Sequence, residues 1–436
     1  MQLRPHANPP LLWRPVVALM PLCATLLTLA HPALAQDEAP AASTSEAARP
    51  ALPDFPIESP ATPLLTPSSR LDLGAFTDIN LNVPTDLEGV NVGIGQVVVH
   101  ARAHLGSGFS TFGEFTLNSP SWDVRVERLI FDWEPSDAFK LSVGRMHSPV
   151  TWWNQNFHHG VWLQTTATRP QMISFNRGGT GHSHGAALLE SHFKGARISG
   201  LLPFLDRAGL RYLAGVASGG DDSGVRDGVT VPYAFMTFAN LALEPPDVPF
   251  LRVGITGNYV VDYPLPNQKK GARTLETGAH IAYTSDRPEL IVEGVMTTDH
   301  VAESKRSSLS NEQTTSSLPT DMSGTHMSGG HETTSTGMST STMQRAVPAG
   351  SYQSGALYAQ VAWRIARGKE RFKPYARYEY TTLQHPDHGS KDPEVWHIVM
   401  AGLRVDLTNR IALKTEGVRY TDTDTNVLNV QLSAAW

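Results

Sequence analysis

The chain has one cysteine among its 436 residues, no apolar run long enough to cross a membrane as a helix, and no surplus of positive charge. Each shortage excludes something. Cys23 lies in the amino-terminal segment, so the rest of the chain has no thiol and no disulfide. No segment beyond residue 35 approaches 18 uncharged apolar residues, which excludes a bundle of membrane helices. A formal net charge of −6 leaves no electrostatic footprint for nucleic acid. Catalytic signatures are missing too: there is no G-x-S-x-G, H-E-x-x-H or P-loop, and no catalytic residue is assigned.

What is present begins with a targeting segment. Arg4 and Arg14 form a basic n-region, Val16 to Ala30 a mostly apolar h-region, and Ala33-Leu34-Ala35 an A-x-A cleavage site. The h-region is short and broken by Pro21, and Leu22 is too large to precede a lipoprotein cleavage at Cys23. Residues 1–35 therefore read as a signal peptide. Its removal takes away Arg4 and Arg14 and no acids, so the net charge moves from −6 to −8. Residues 36–70 carry prolines at 40, 50, 53, 56, 60, 63 and 67 among Ala, Ser and Thr. Such a stretch buries too little apolar surface to offset its ordering entropy, and it reads as a disordered periplasmic leader.

From Leu71 to Trp436 the pattern changes to sixteen amphipathic strands, with 14 or 18 as alternatives. The last one is clean: Leu428, Val430, Leu432, Ala434 and Trp436 take one face, Asn429, Gln431, Ser433 and Ala435 the other. The first opposes Leu71, Leu73, Ile79 and Leu81 to Asp72, Asp78, Asn80 and Asn82, and the fourth, Val124 to Trp133, loses its alternation beyond Glu127, where a bulge is expected. Compact turns such as Gly106-Ser107, Ser285-Asp286-Arg287-Pro288 and Leu407-Thr408-Asn409 alternate with longer polar loops. Together these predict an all-β, antiparallel transmembrane barrel with lipid outside, water inside, short periplasmic turns and long outer loops. The expected location is the outer membrane of a Gram-negative bacterium. Expected partners are its lipid, small hydrophilic solutes, the barrel-assembly machinery that reads a terminal aromatic such as Trp436, and further copies in a homotrimer.

The segment Val143-Gly144-Arg145-Met146-His147-Ser148-Pro149-Val150-Thr151-Trp152-Trp153-Asn154, continuing to Arg169-Pro170, resembles outer-membrane porins of the phosphate-selective O/P type. The shared features are a glycine and a basic residue ending a strand, then a proline and an aromatic-Asn in the next loop. The resemblance implies a passive channel.

Alternation places Arg102, Arg125, Arg364, Lys373, Arg377 and Lys414 inward, with Glu114, Glu127, Glu379 and Glu416 among the inward acids. These are the expected pore-lining residues, either a transverse field or structural ion pairs. The third outer loop, expected over 147–182, is the expected constriction. It carries Trp152, Trp153, Trp162, His158, His159, Arg169 and Arg177; aromatic rings beside cations suit planar solutes, or else the rings pack the loop against the barrel wall. His158 and His159 point apart if extended, which argues against a metal shared by that pair. A further loop, 298–350, is rich in Ser and Thr and expected to be flexible. Within it Met322, His326, Met327, His331, Met338 and Met343 offer thioether and imidazole groups, the ligand set of Cu(I), with Zn(II) as the alternative. Three functions follow in order: a porin, a metal-handling protein that uses residues 321–343, and a barrel hydrolase.

Overall fold

A computed structural model describes residues 70–84, 90–118, 123–158, 160, 162–173, 189, 192–218, 225–226, 229–230, 233–262, 273–301, 349–365, 371–384 and 393–436. The signal peptide and all of the leader except Arg70, which already opens the first strand, lie outside these residues. Sixteen antiparallel strands form one closed barrel. In chain order they are β1 (Arg70–Pro84), β2 (Asn91–Gly106), β3 (Phe109–Asn118), β4 (Asp123–Ser136), β5 (Phe139–His147), β6 (His192–Leu201), β7 (Leu210–Ser218) and β8 (Tyr233–Leu243), then β9 (Leu251–Asp262), β10 (Arg273–Thr284), β11 (Glu289–Val301), β12 (Gly350–Ala362), β13 (Phe372–Leu383), β14 (Glu394–Asp406), β15 (Ile411–Tyr420) and β16 (Thr425–Ala435). A two-stranded ribbon, Val225–Arg226 with Val229–Thr230, sits in the connection between β7 and β8.

Each strand pairs with its chain neighbours, and β1 pairs with β16 from Phe76↔Ala435 to Pro84↔Val427. That last pairing removes both sheet edges. In lipid an open edge would leave backbone donors and acceptors with no partner, so closure is a condition of insertion. The outer surface carries Leu73, Ile79, Leu129, Ile255, Leu428 and Leu432, all exposed. A water-facing wall would not carry such a belt; a lipid-facing one requires it. Aromatic rings gather beside the short turns, where Phe109 and Trp133 stack at 6.0 Å and Trp363, Phe372 and Trp436 are exposed. This is the interfacial girdle of a membrane barrel.

The connections divide by end. Those at 107–108, 137–138, 285–288 and 407–410 are tight, and 148–191, 219–232 and 302–349 at the other end are long. Two at the long-loop end, 119–122 and 421–424, are as short as turns. In the β2–β3 turn Ser107 and Gly108 have φ of 51 and 78°, and a Cβ on residue 108 would stand 2.5 Å from the Glu134 carbonyl oxygen. Only glycine fits there without displacing the neighbouring strand. The expected irregularity in β4 is a bulge: Arg128 faces Glu114, Val126 faces Phe115, and Glu127 is the extra residue between them.

The inner wall departs from a simple apolar-out, polar-in rule. On β13 and β15 much of the buried inward face is charged, with Lys373, Arg377, Glu379, Lys414 and Glu416 set among Tyr375, Ala412 and Val418. On β3 to β9 a band of inward residues is apolar. Phe112, Ile130, Met146, Phe193, Leu213, Met236, Phe238 and Val260 form one buried cluster, one or two from each strand.

Candidate functional site

Between β5 and β6 the chain leaves the wall after His147 and rejoins it at His192, some way beyond the expected end at 182. This is the third connection at the long-loop end. Its described part lies against inward side chains of β9 to β16 and, at His158, beside the facing ends of β5 and β6.

The loop opens with a short helix, α1 (Trp152–Phe157), whose cap Thr151 accepts a hydrogen bond from Asn154 N at 3.0 Å. Glu293 on β11 meets the start of that helix. One of its carboxylate oxygens accepts from Trp152 N; the other accepts from Trp153 N at 3.2 Å and from Tyr358 Oη at 3.2 Å. A carboxylate there satisfies helix donors that have no partner within the helix and lies at the positive end of its dipole. Trp152 and Trp153 then enter an apolar cluster with Val150, Met172, Ile291, Val295, Ala356 and Tyr358. Only 5% and 2% of their surfaces are exposed, and Trp162 is equally covered at 5%. These aromatic rings are packed against the wall, where burial of their large apolar area favours that contact over water.

Residues 162–171 are held by a row of charges. Arg404 on β14 donates to the carbonyl oxygens of Trp162 at 2.7 Å and Gln164 at 3.0 Å, and its guanidinium carbon lies 5.3 Å from the centre of the Trp162 ring. Arg377 on β13 donates to Thr166 Oγ1 at 2.9 Å and to the carbonyl oxygens of Thr168 and Arg169 at 3.0 and 3.1 Å. Lys414 on β15 reaches the Thr166 carbonyl oxygen at 3.2 Å. Acids take the loop's donors in return. Glu416 accepts from Ala167 N at 3.2 Å and Thr168 Oγ1 at 2.6 Å, Glu379 from Gln171 N at 2.6 Å, and Glu289 from Thr165 Oγ1 at 2.8 Å. Cations meet carbonyl oxygens and carboxylates meet N–H or O–H groups, so an irregular backbone is satisfied at membrane depth by protein rather than by water.

Of the two readings of the inward charges, a transverse field or structural ion pairs, these contacts are of the second kind. Lys373, Arg377, Glu379, Lys414 and Glu416 face inward, but none is more than 5% exposed: Lys373 pairs with Glu289 at 2.7 Å, and the other four bind the loop. Glu114 and Glu127 are also buried, bonded to Arg128 at 2.7 Å and Thr116 Oγ1 at 2.7 Å respectively. Arg364 lies at the short-turn end between Asp286 at 3.0 Å and Asp406 at 2.5 Å. Partial burial pushes the Asp286 carboxyl upward, but Arg364 and Lys373 outweigh it and hold the group below its ordinary range. Arg102 is half-buried, 5.5 Å from the Phe112 ring centre, and Arg125 is exposed. These two fit a solvated wall.

Of the remaining loop residues, Arg169 places its guanidinium 5.9 Å from the Trp153 ring centre, and His158 is buried beside His147 and His192. His159, Arg177 and the Met/His series Met322, His326, Met327, His331, Met338 and Met343 lie outside the described residues. Sequence reasoning missed Arg404, Glu289 and Glu293, three of the strongest anchors. Glu289 and Glu293 share one face of β11, but Ile291 and Val295 lie on that same face, so the strand showed no polar side.

No protein-family model matches the chain, and no curated protein matches it. Solved structures do. OmpT of Vibrio cholerae in its trimer form is 14% identical with a TM-score of 0.51, covering 85% of this chain and 100% of that one. An anion-selective porin of Comamonas acidovorans is 10% identical with a TM-score of 0.51, covering 85% and 100%. OmpF of Salmonella typhi, solved with daunomycin, is 10% identical with a TM-score of 0.53, covering 84% and 98%. At these identities the likeness is one of fold. The belt, the closure and this likeness together define the class: a Gram-negative outer-membrane β-barrel with the sixteen-stranded porin fold.

Proposed function

We propose that the protein is a porin through which small hydrophilic solutes and ions diffuse passively, narrowed by the third outer loop. The observation that carries this reading is the fixing of residues 162–171 to the inner wall by Arg377, Arg404, Lys414, Glu379 and Glu416. A sixteen-stranded barrel is too wide for its own side chains to fill, so a loop held inside it sets the aperture. The same contacts argue against strong ion selectivity, because those charges are matched within the protein. The narrower likeness to phosphate-selective O/P-type porins rests on 143–154 and 169–170. Passage through the membrane needs residues 1–35 cleaved, and 36–70 is then a periplasmic leader. OmpT of similar fold has a trimer form, and a homotrimer is the assembly proposed here.

The test is single-channel recording in a planar bilayer, comparing the full chain with a variant in which 152–168 is replaced by a short Gly/Ser linker. The full chain should show discrete conducting steps, and the variant should show larger steps and admit larger sugars. A folded, heat-modifiable variant with unchanged conductance would place the constriction elsewhere. A second reading, metal capture, rests on the six Met and His groups of 322–343. A peptide spanning Leu318 to Gln344 should bind Cu(I) above Zn(II), and lose Cu(I) when its methionines become leucine. Equal Cu(I) binding by both peptides would remove the role of the thioethers.

A further inference from the structure

We propose that His147, His158 and His192 form a transition-metal site, suited to Zn(II), at the root of the third loop. This does not rest on the porin reading. His147 ends β5 and His192 opens β6, and the two are the final cross-strand pair before the chain parts into the loop. His158, at the carboxyl end of α1, comes back to the same point. The three rings lie 4.9, 5.0 and 4.8 Å apart between centroids, inclined at 63 to 83°. One ring nitrogen from each lies within 4.8 Å of the others, and all three residues are buried. The bulge residue Glu127 adds a carboxylate, with an oxygen 3.4 Å from His192 Nε2 and its other oxygen held by Thr116 Oγ1 at 2.7 Å.

Three imidazoles make the donor set of a Zn(II) site whose fourth position falls to water or to Glu127, which also lies 3.9 Å from Arg145, and they accept Cu(II) or Ni(II) as well. Calcium and magnesium want oxygen ligands and fit poorly. With Zn–N bonds of about 2.0–2.1 Å, nitrogens around a tetrahedral ion stand ~3.3 Å apart. The present nitrogens stand within 4.8 Å of one another, so binding draws the three imidazoles together. Protonation is a poorer use of the cluster, since neighbouring buried imidazolium ions repel one another and lose hydration. An ion here would join both ends of the loop to its helix, and so fix the loop at the end away from Arg377.

The experiment uses the full chain carrying His326→Ala and His331→Ala, which removes two imidazoles of the other Met/His segment. Purified, heat-modifiable barrel is stripped with chelator, dialysed against Zn(II), and its metal content measured; a second portion receives Co(II). Zinc should bind at about one per chain, and Co(II) should give the intense visible absorption of a four-coordinate site. Glu127→Gln, which keeps the imidazoles, should weaken Zn(II) binding about 10- to 100-fold. His158→Ala in a folded barrel should abolish stoichiometric binding. A folded parent that retains no stoichiometric zinc, or gives only the weak spectrum of six-coordinate cobalt, overturns the proposal, and so does a folded His158→Ala barrel that binds as its parent does.

Discussion

Arg377 is buried at 2% exposure in the wall of a barrel, and everything around it explains why that is tolerated. Its Nε meets Glu379 at 2.8 Å, and its two terminal nitrogens supply the loop contacts already described. Removing one partner of such a buried pair typically costs about 3–5 kcal/mol, because the charge left behind stays desolvated. Here the loss should fall on the loop and not on the barrel, whose strands are joined by backbone bonds. Arg377→Ala should therefore keep normal heat-modifiability while residues 162–171 become open to protease. Arg377→Lys should rescue only in part, since an ammonium group cannot span Thr166 and Arg169 as the guanidinium fork does. Equal protease resistance of Arg377→Ala and the parent would show that the loop is held by other contacts.

Among the elements, α1 is the least self-sufficient. Six residues are far below the length at which a helix persists alone in water, so its stability must come from Thr151, Glu293 and the apolar cluster beneath it. Glu293→Ala should release the helix, and the tryptophan emission should shift to longer wavelength as Trp152 and Trp153 become wetter. No shift in a folded barrel would mean that packing alone fixes them. The elements also show what a sequence can disclose. Strands β13, β15 and β16 were legible because the middle of each inward face is charged or polar, as in Arg377 and Glu379, Lys414 and Glu416, and Asn429, Gln431 and Ser433. The bulge in β4 was legible from the break after Glu127. The inward apolar band on β3 to β9 was not, since alternation reports two faces without saying which one meets lipid when both are apolar. Nor does alternation reveal cover: Lys414 reads as a wet lumenal lysine, and only the loop some 248 residues away makes it a buried one. His147, His158 and His192 are scattered for the same reason, being joined by a strand pairing and a returning loop rather than by spacing.

For the whole molecule, the decisive contact is the one between the first and last strands. Trp436 N donates to the Ala75 carbonyl oxygen at 3.1 Å and Ala75 N to the Trp436 carbonyl oxygen at 2.9 Å, so the final residue completes the ladder. Deleting Val430 to Trp436 removes six paired positions with β1 and five with β15 and leaves two long edges facing lipid. The truncated chain should accumulate unfolded in the periplasm, and ordinary amounts of heat-modifiable barrel in the outer membrane would contradict that. The placement of the third loop also has a meaning in time. Its two ends leave the wall at β5 and β6, but its partners Glu379, Glu416 and Gln431 belong to the last strands of the chain. Contacts so distant in sequence form slowly and late. The loop is therefore gripped in two stages: its helix can dock once Glu293 of β11 and Tyr358 of β12 are in place, whereas residues 166–171 stay unheld until the final strands are laid down.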